Sequence, residues 1–71
     1  MTRILLNVEP ATDTGWDVSF HRFLLDHRPS PDDAIRAASE HAYRRYVVTG
    51  TPTGVTLALG DCDSVVVQSN G

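Results

Sequence analysis

The segment that most constrains the fold of this chain is a capped amphipathic helix beginning after Ser30. Ser30 is a preferred N-cap residue, Pro31 suits the first helical position, and the Asp32–Asp33 pair complements the positive end of the helix dipole. Small and apolar residues then recur along one arc of about 120°. They are Ala34, Ile35, Ala38, Ala42 and Tyr46. The alanines predict a helix lying close on a sheet, which ends somewhere between Tyr46 and the stop signal Gly50.

Alternating patterns before the helix predict strands. Over residues 2–8, the apolar Ile4, Leu6 and Val8 share one face of a strand, with Arg3, Leu5 and Asn7 on the other. Residues 16–20 alternate apolar and polar side chains after a turn over residues 9–15. Gly15 is placed in this turn, where a positive φ is often required. Residues 23–25 are apolar and leave two interpretations open. They either continue the second strand past a bulge or form a short third strand.

The segment after the helix predicts a second hairpin. Residues 49–54 are typical of a connecting loop, residues 55–59 alternate again, and residues 64–68 follow a turn rich in Gly and Asp. The expected order is β-β-(β)-α-β-β. We therefore expect one α+β domain over residues 1–71, a single antiparallel sheet with one helix packed on one face.

Length and composition exclude several classes of protein. A chain of 71 residues has no room for a second domain. Its longest apolar runs, residues 4–6 and 23–25, are far below the ~18 residues of a membrane span. No charged segment leads into an apolar one as in a secretory signal. The single cysteine, Cys62, has no internal disulfide partner, so we expect a protein of the reducing cytoplasm. Because its apolar runs are short, we also expect no membrane contact.

Two motifs are candidates for a metal or a nucleotide. Asp61-Cys62-Asp63 places two carboxylates beside a thiol, but no further ligand lies nearby in the sequence, so a polar turn is expected. The segment Gly-Thr-Pro-Thr-Gly at residues 50–54 lacks the lysine and the spacing of a phosphate-binding loop. We therefore expect no metal and no cofactor.

The three histidines are the candidates for acid–base chemistry. Imidazole is the side chain suited to acid–base catalysis near neutral pH, and His21, His27 and His41 would have to converge with Asp26 to act together. No serine or cysteine stands at a recognisable nucleophile spacing from them. We expect solvated surface histidines and a protein that is not an enzyme.

The charge distribution leaves nucleic-acid binding as the alternative function. The chain has a net charge of −3, yet residues 21–45 hold five of its six arginines. Nucleic-acid binders concentrate basic side chains on one face because phosphate contacts supply most of their affinity. The arginines that would carry this function are Arg22, Arg28, Arg36, Arg44 and Arg45.

The helical phase predicts a protein-binding face as the leading hypothesis. Tyr43 falls opposite the alanine arc, beside Arg36, Glu40 and Arg44. Tyrosine and arginine are the residue types that dominate binding hot spots. We expect a small protein-binding module that uses these four residues as its partner-binding site. Because so small a domain gains from further burial, we also expect a homodimer formed through an exposed strand.

Two segments resemble the HicB-type antitoxin domain. Residues 15–20, Gly-Trp-Asp-Val-Ser-Phe, are similar to its aromatic strand, and residues 30–38 are similar to its capped helix with an acidic pair and packing alanines. The resemblance covers residues 3–46 and departs at residues 21–25, where that family has a Pro-Asp-Leu-Pro-Gly segment. It implies a degenerate ribonuclease-H-like fold that is used for binding a small toxin, without catalysis. The ubiquitin-like β-grasp scaffold has a similar order of elements.

Overall fold

A computed structural model describes residues 3–59 and 63–71. These residues form five strands and one helix. The elements are β1 (Ile4–Pro10), β2 (Trp16–Phe20), β3 (Phe23–Arg28), α1 (Pro31–Thr49), β4 (Thr53–Ala58) and β5 (Ser64–Asn70). The strands make one sheet in the order β3-β2-β1-β4-β5, and α1 packs on one face of it. The α+β class with a single helix is confirmed, and residues 23–25 belong to a separate third strand.

The sheet is mixed, so the prediction of a wholly antiparallel sheet is wrong at one pair of strands. β1 and β4 run parallel, with Ile4 opposite Thr53 and Val8 opposite Leu57. The other three pairs are antiparallel. α1 carries the chain from the far end of β3 back to the end where β1 begins, so β4 must run in the direction of β1. Alternation along a strand identifies its buried face but carries no information on its direction.

The core lies between the sheet and the predicted alanine arc. Its sheet side chains are buried and aliphatic, and they are Leu6, Val8, Val18 and Val55. Four buried alanines of α1 lie against them, and they are Ala34, Ala37, Ala38 and Ala42. Ile35 and Tyr46, also placed on the arc, are only partly buried. Small side chains let the helix backbone approach the strands closely, as the sequence predicts.

Both ends of α1 are closed by local hydrogen bonds. The Ser30 hydroxyl accepts the backbone N–H of Asp33 at 3.2 Å, which confirms the predicted N-cap. At the other end Gly50 has φ +73°, and its N–H donates to the Tyr46 carbonyl at 2.8 Å. The helix therefore ends at Thr49, within the range from Tyr46 to Gly50 that the sequence left open.

Strand boundaries differ from those predicted in β1, β3, β4 and β5; β3 runs on to Arg28 and β5 to Asn70. β1 extends to Pro10, which is tolerated at a strand end, and Ala11 donates to the Gly15 carbonyl to close the turn. β4 begins at Thr53, inside the predicted loop, and ends before Leu59. In the Asp-Cys-Asp turn, Asp61 and Cys62 lie outside the described residues, and the Asp63 carbonyl accepts the Leu59 N–H at 2.9 Å.

Candidate binding surfaces

The outer face of α1 holds all four residues predicted to bind a partner. Tyr43 is 57% exposed, and Val47, one turn later, is 60% exposed. Arg36, Glu40 and Arg44 lie on the same side of the helix, where Glu40 and Arg44 are exposed. None of these side chains belongs to the core, which uses the opposite face of α1. The structure thus presents an apolar stripe with charged borders, and Val47 is the member that the sequence analysis missed.

The charged residues of this outer face are not tied to one another. Within residues 3–59 and 63–71, only two contacts join acidic to basic side chains: the ion pair of Arg28 with Asp26 and the hydrogen bond between the His27 ring and Asp17. Glu40 and Arg44 stand in the order that favours a pair on a helix but do not form one. Arg36 and Glu40 instead border a shallow depression of about 150 Å³. Their charged groups therefore remain open to a bound molecule.

One end of the sheet collects most of the arginines, and we call it the basic end. β1 begins there, β2 turns into β3 there, and α1 finishes there. The basic end comprises Arg3, His21, Arg22, Arg44 and Arg45. Arg3 donates to the Gly71 carbonyl at 3.4 Å, and the Arg45 guanidinium lies 5.5 Å from the centre of the Phe20 ring. The side chain of Arg45 therefore lies along apolar surface, as expected of a long cation near the core arc.

The opposite end of the sheet collects the carboxylates, and we call it the acidic end. β1 finishes there, α1 begins there, and β4 turns towards β5 there. The carboxylates of the acidic end are Glu9, Asp13, Asp17, Asp32, Asp33 and Asp63. Asp26 and Glu40, the two other carboxylate side chains of the described segments, lie between the ends. Register, not sequence position, produces this separation of charge, because residues distant along the chain meet at each end.

Asp26 anchors an ion pair beside the acidic end. The backbone N–H of His27 donates to its carboxylate at 2.8 Å, and Arg28 donates to the other oxygen at 3.0 and 3.2 Å. The His27 N–H first, and then the Arg28 guanidinium, hold the pKa of Asp26 below its ordinary value of 3.8. Partial desolvation opposes this shift. Both carboxylate oxygens of Asp26 are therefore hydrogen-bonded to groups of its own strand.

The histidines do not converge on Asp26. His21 lies in the turn before β3, and His27 lies near the other end of that strand, four strand positions or roughly 13 Å from Phe23 at about 3.3 Å per residue. The His27 ring contacts Asp17 through Nδ1 at 2.7 Å. His41 lies on α1, where its charge acts on Asp26 only as a minor influence. The structure therefore does not assemble the acid–base set that the sequence left open.

The five arginines of the nucleic-acid alternative are divided by the fold. Arg28 is paired with Asp26 beside the acidic end, and Arg36 lies near it on the outer face. Arg22, Arg44 and Arg45 belong to the basic end. Arg3 joins them there although it stands far away in the sequence. Its position follows from the pairing of β1 with β4, which local patterns did not predict.

The two edges of the sheet differ in charge. β3 forms one edge and carries Asp26, His27 and Arg28. β5 forms the other and carries no charged residue, while Val65, Val66 and Val67 are exposed along it. Each edge strand pairs with its neighbour through one register shift, so a bulge does not distinguish them. Charged side chains protect an edge against pairing with another strand, and β5 lacks this protection.

No protein family, no curated protein and no solved structure matches this chain. Among the residues that the structure covers, no three carboxylate, imidazole or thiol groups are grouped to hold a metal ion. Within the same residues, no helix has the length and apolarity needed to cross a bilayer.

Proposed function

We propose that this domain is a small cytoplasmic protein-binding module, non-enzymatic, that acts as an antitoxin-like or inhibitory regulator of a protein partner. The observation that carries the proposal is the outer face of α1. An exposed tyrosine and an exposed valine lie one turn apart there, bordered by charged groups without internal ion pairs in the described residues. Interface hot spots combine such aromatic and arginine side chains.

The chemistry of the outer face defines the partner surface that fits it. Tyr43 and Val47 require an apolar side chain that packs between them. Arg36 and Arg44 require carboxylates on the partner, and Glu40 requires a donor. A partner with an acidic rim around an apolar residue, and one donor in that rim, satisfies all five. The resemblance of residues 3–46 to HicB-type antitoxins supports a small toxin as the partner.

The homodimer belongs to the same proposal and uses β5. In an antiparallel pairing about a two-fold axis, residue i lies opposite residue j and j opposite i, so an axis at Val66 places Val66 opposite its own copy and Val65 opposite Val67. The three consecutive valines then face valines, and no like charges meet. β3 carries Asp26, His27 and Arg28, and charged side chains on an edge strand oppose pairing with another strand, so β5 is the favoured edge.

Affinity capture from a lysate of the source organism tests the protein partner. Wild type, Tyr43→Ala and Val48→Ala are compared with and without nuclease. Val48 is 82% exposed and lies off the outer face, so it is the matched control. We expect one stoichiometric protein that survives nuclease, binds the purified domain directly, and is lost with Tyr43→Ala alone. Recovery unaffected by Tyr43→Ala, or abolished by nuclease, contradicts the proposal.

Sedimentation equilibrium tests the homodimer. Wild type should be dimeric, Val66→Lys monomeric, and Leu24→Lys on the other edge still dimeric. A monomeric wild type, or an equal effect of both substitutions, would rule out pairing through β5. Thermal unfolding of each variant separates loss of pairing from loss of the fold.

A further inference from the structure

We propose that the basic end is a binding site for single-stranded nucleic acid. This inference goes beyond the protein-binding function and centres on a different part of the surface, which shares only Arg44 with the outer face of α1. It rests on three features: a local excess of arginine, the absence of internal ion pairs for those arginines in the described residues, and exposed aromatic rings beside them.

The charge at the basic end is local. Four arginines lie there, and none of the carboxylate side chains in residues 3–59 and 63–71 shares that end. β1, which runs from one end to the other, has 7 residues and spans roughly 20 Å at about 3.3 Å per residue. Because the Debye length is about 10 Å at 0.1 M salt, the acidic end is screened from a ligand at the basic end. A net charge of −3 therefore does not prevent local attraction of phosphates.

The arginines of the basic end are not required by internal ion pairs. Both ion pairs of the described residues use other side chains. Arg44 and Arg45 lie on α1 but before its last turn, which holds no basic residue, so stabilisation of the helix dipole, which falls off beyond the last turn, does not account for them. Arg3 and Arg22 lie on no helix, so this stabilising role does not account for them.

Aromatic rings lie among these charges. Phe23 is 71% exposed on the first position of β3, directly across from Phe20. The His21 ring lies 4.2 Å from the Phe20 ring, centre to centre, and Arg45 lies over Phe20. Proteins that bind single strands combine a positive groove with aromatic side chains on which bases stack. Phe23 offers such a ring, and Arg22 stands next to it in the chain.

The exposed ring favours a single strand over a duplex. A base can stack on Phe23 only if its face is accessible, and the bases of a duplex are already stacked on one another. The basic end also presents the C-terminus of α1 and a two-residue turn, and neither inserts a helix into a major groove. Arg3, Leu5, Asn7 and His21 border a concave surface beside this turn.

Fluorescence anisotropy tests the proposal with labelled oligothymidylate and oligouridylate of about 12 nucleotides, and with a duplex of equal length. We expect binding to both single strands and weaker binding to the duplex. If four phosphates are contacted, affinity should fall roughly 50-fold between about 50 and 200 mM salt. Phe23→Ala should weaken binding at least about fivefold. Arg22→Gln should weaken binding and reduce the salt slope by about 0.7.

Matched controls keep these effects specific. Leu24→Ala removes an exposed apolar residue next to Phe23, and Arg28→Gln removes an arginine from beside the acidic end. Both should bind the single strands as wild type does. Tyr43→Ala should also bind the single strands as wild type does. Loss of oligonucleotide binding is thereby distinguished from loss of protein binding through the outer face. No binding at low salt, tighter binding of the duplex, or an unchanged affinity of Phe23→Ala would each overturn the proposal.

Discussion

The two ends of the sheet use their charges in opposite ways. Beside the acidic end, the charged groups of β3 are joined to one another, to Asp17 and to the backbone: His27 to Asp17, and Asp26 to Arg28 and to the His27 N–H, whereas the other carboxylates of that end take part in no ion pair of the described residues. At the basic end the arginines take part in no ion pair of the described residues, and the buried contacts are made by neutral groups. Paired charges belong to the folded structure, whereas unpaired charges on an exposed surface are available to a ligand.

The largest effect is expected at the turn of the acidic end. Gly15 has φ +83°, and a Cβ there would lie 2.7 Å from the Arg28 carbonyl oxygen, a backbone atom. Gly15→Ala should destabilise the domain by at least about 2 kcal/mol, because both the left-handed backbone and the overlap are unfavourable. Thermal unfolding measures this loss, which corresponds to roughly 10 °C in a domain of this size.

Gly50→Ala is the matched control for that substitution. Gly50 also has a positive φ, but a Cβ added there would meet nothing within 4 Å. The substitution should cost only about 1 kcal/mol, from backbone conformation alone. Equal losses for the two variants would show that the close packing of Gly15 against β3 is not important.

A smaller effect is expected from removing the Thr53 hydroxyl, whose hydrogen bonds join uncharged groups at the basic end. The buried Thr53 hydroxyl donates to the Ala42 carbonyl at 2.8 Å and accepts the Asn70 amide at 3.1 Å, linking α1, β4 and β5. Thr53→Val should cost about 1–2 kcal/mol, because the hydrogen bonds of its buried hydroxyl to the Ala42 carbonyl and from the Asn70 amide are both lost. Chemical denaturation measures the change, with the exposed Thr12→Val as control. If Thr53→Val lowered the free energy of unfolding no more than Thr12→Val does, the hydrogen bonds of Thr53 would not contribute to stability.

A pH-dependent effect is expected at Asp26. Its pKa is lower in the folded protein than in the unfolded chain, so the unfolded state binds the proton more tightly. The stabilisation is complete above the ordinary value of 3.8 and is lost as the pH falls through the lower pKa of the folded state. Urea unfolding between about pH 2 and 6 should show this loss in wild type. In Asp26→Asn the dependence should be weaker, and an unchanged pH profile would contradict the assignment.

The smallest effect is expected from the arginines of the basic end. Arg22→Gln should change the free energy of unfolding by less than about 0.5 kcal/mol, because an exposed residue without an ion pair contributes little. Arg28→Gln removes a partner of Asp26 and should cost more. If thermal unfolding found the reverse order, the contrast between the two ends would fail.

Local patterns predicted the elements of the fold but not how they meet. The Ser30 cap, the alanine arc and the outward position of Tyr43 depend on residues a few positions apart, so they follow from sequence. The parallel pairing of β1 with β4 depends on where α1 returns the chain. The same pairing brings the start of β1, next to Arg3, to the end where α1 finishes. The basic end is therefore invisible in the sequence, where its members are up to 42 positions apart.

Backbone amide chemical shifts, followed while a single-stranded oligonucleotide is added to labelled protein, test the central contrast most directly. We predict shifts confined to β1 near Arg3, the turn at His21–Arg22, Phe23, and the last turns of α1. The amides of His27, Arg28 and the first turn of α1 should not move. Shifts concentrated at the acidic end, or none at either end, would contradict the account.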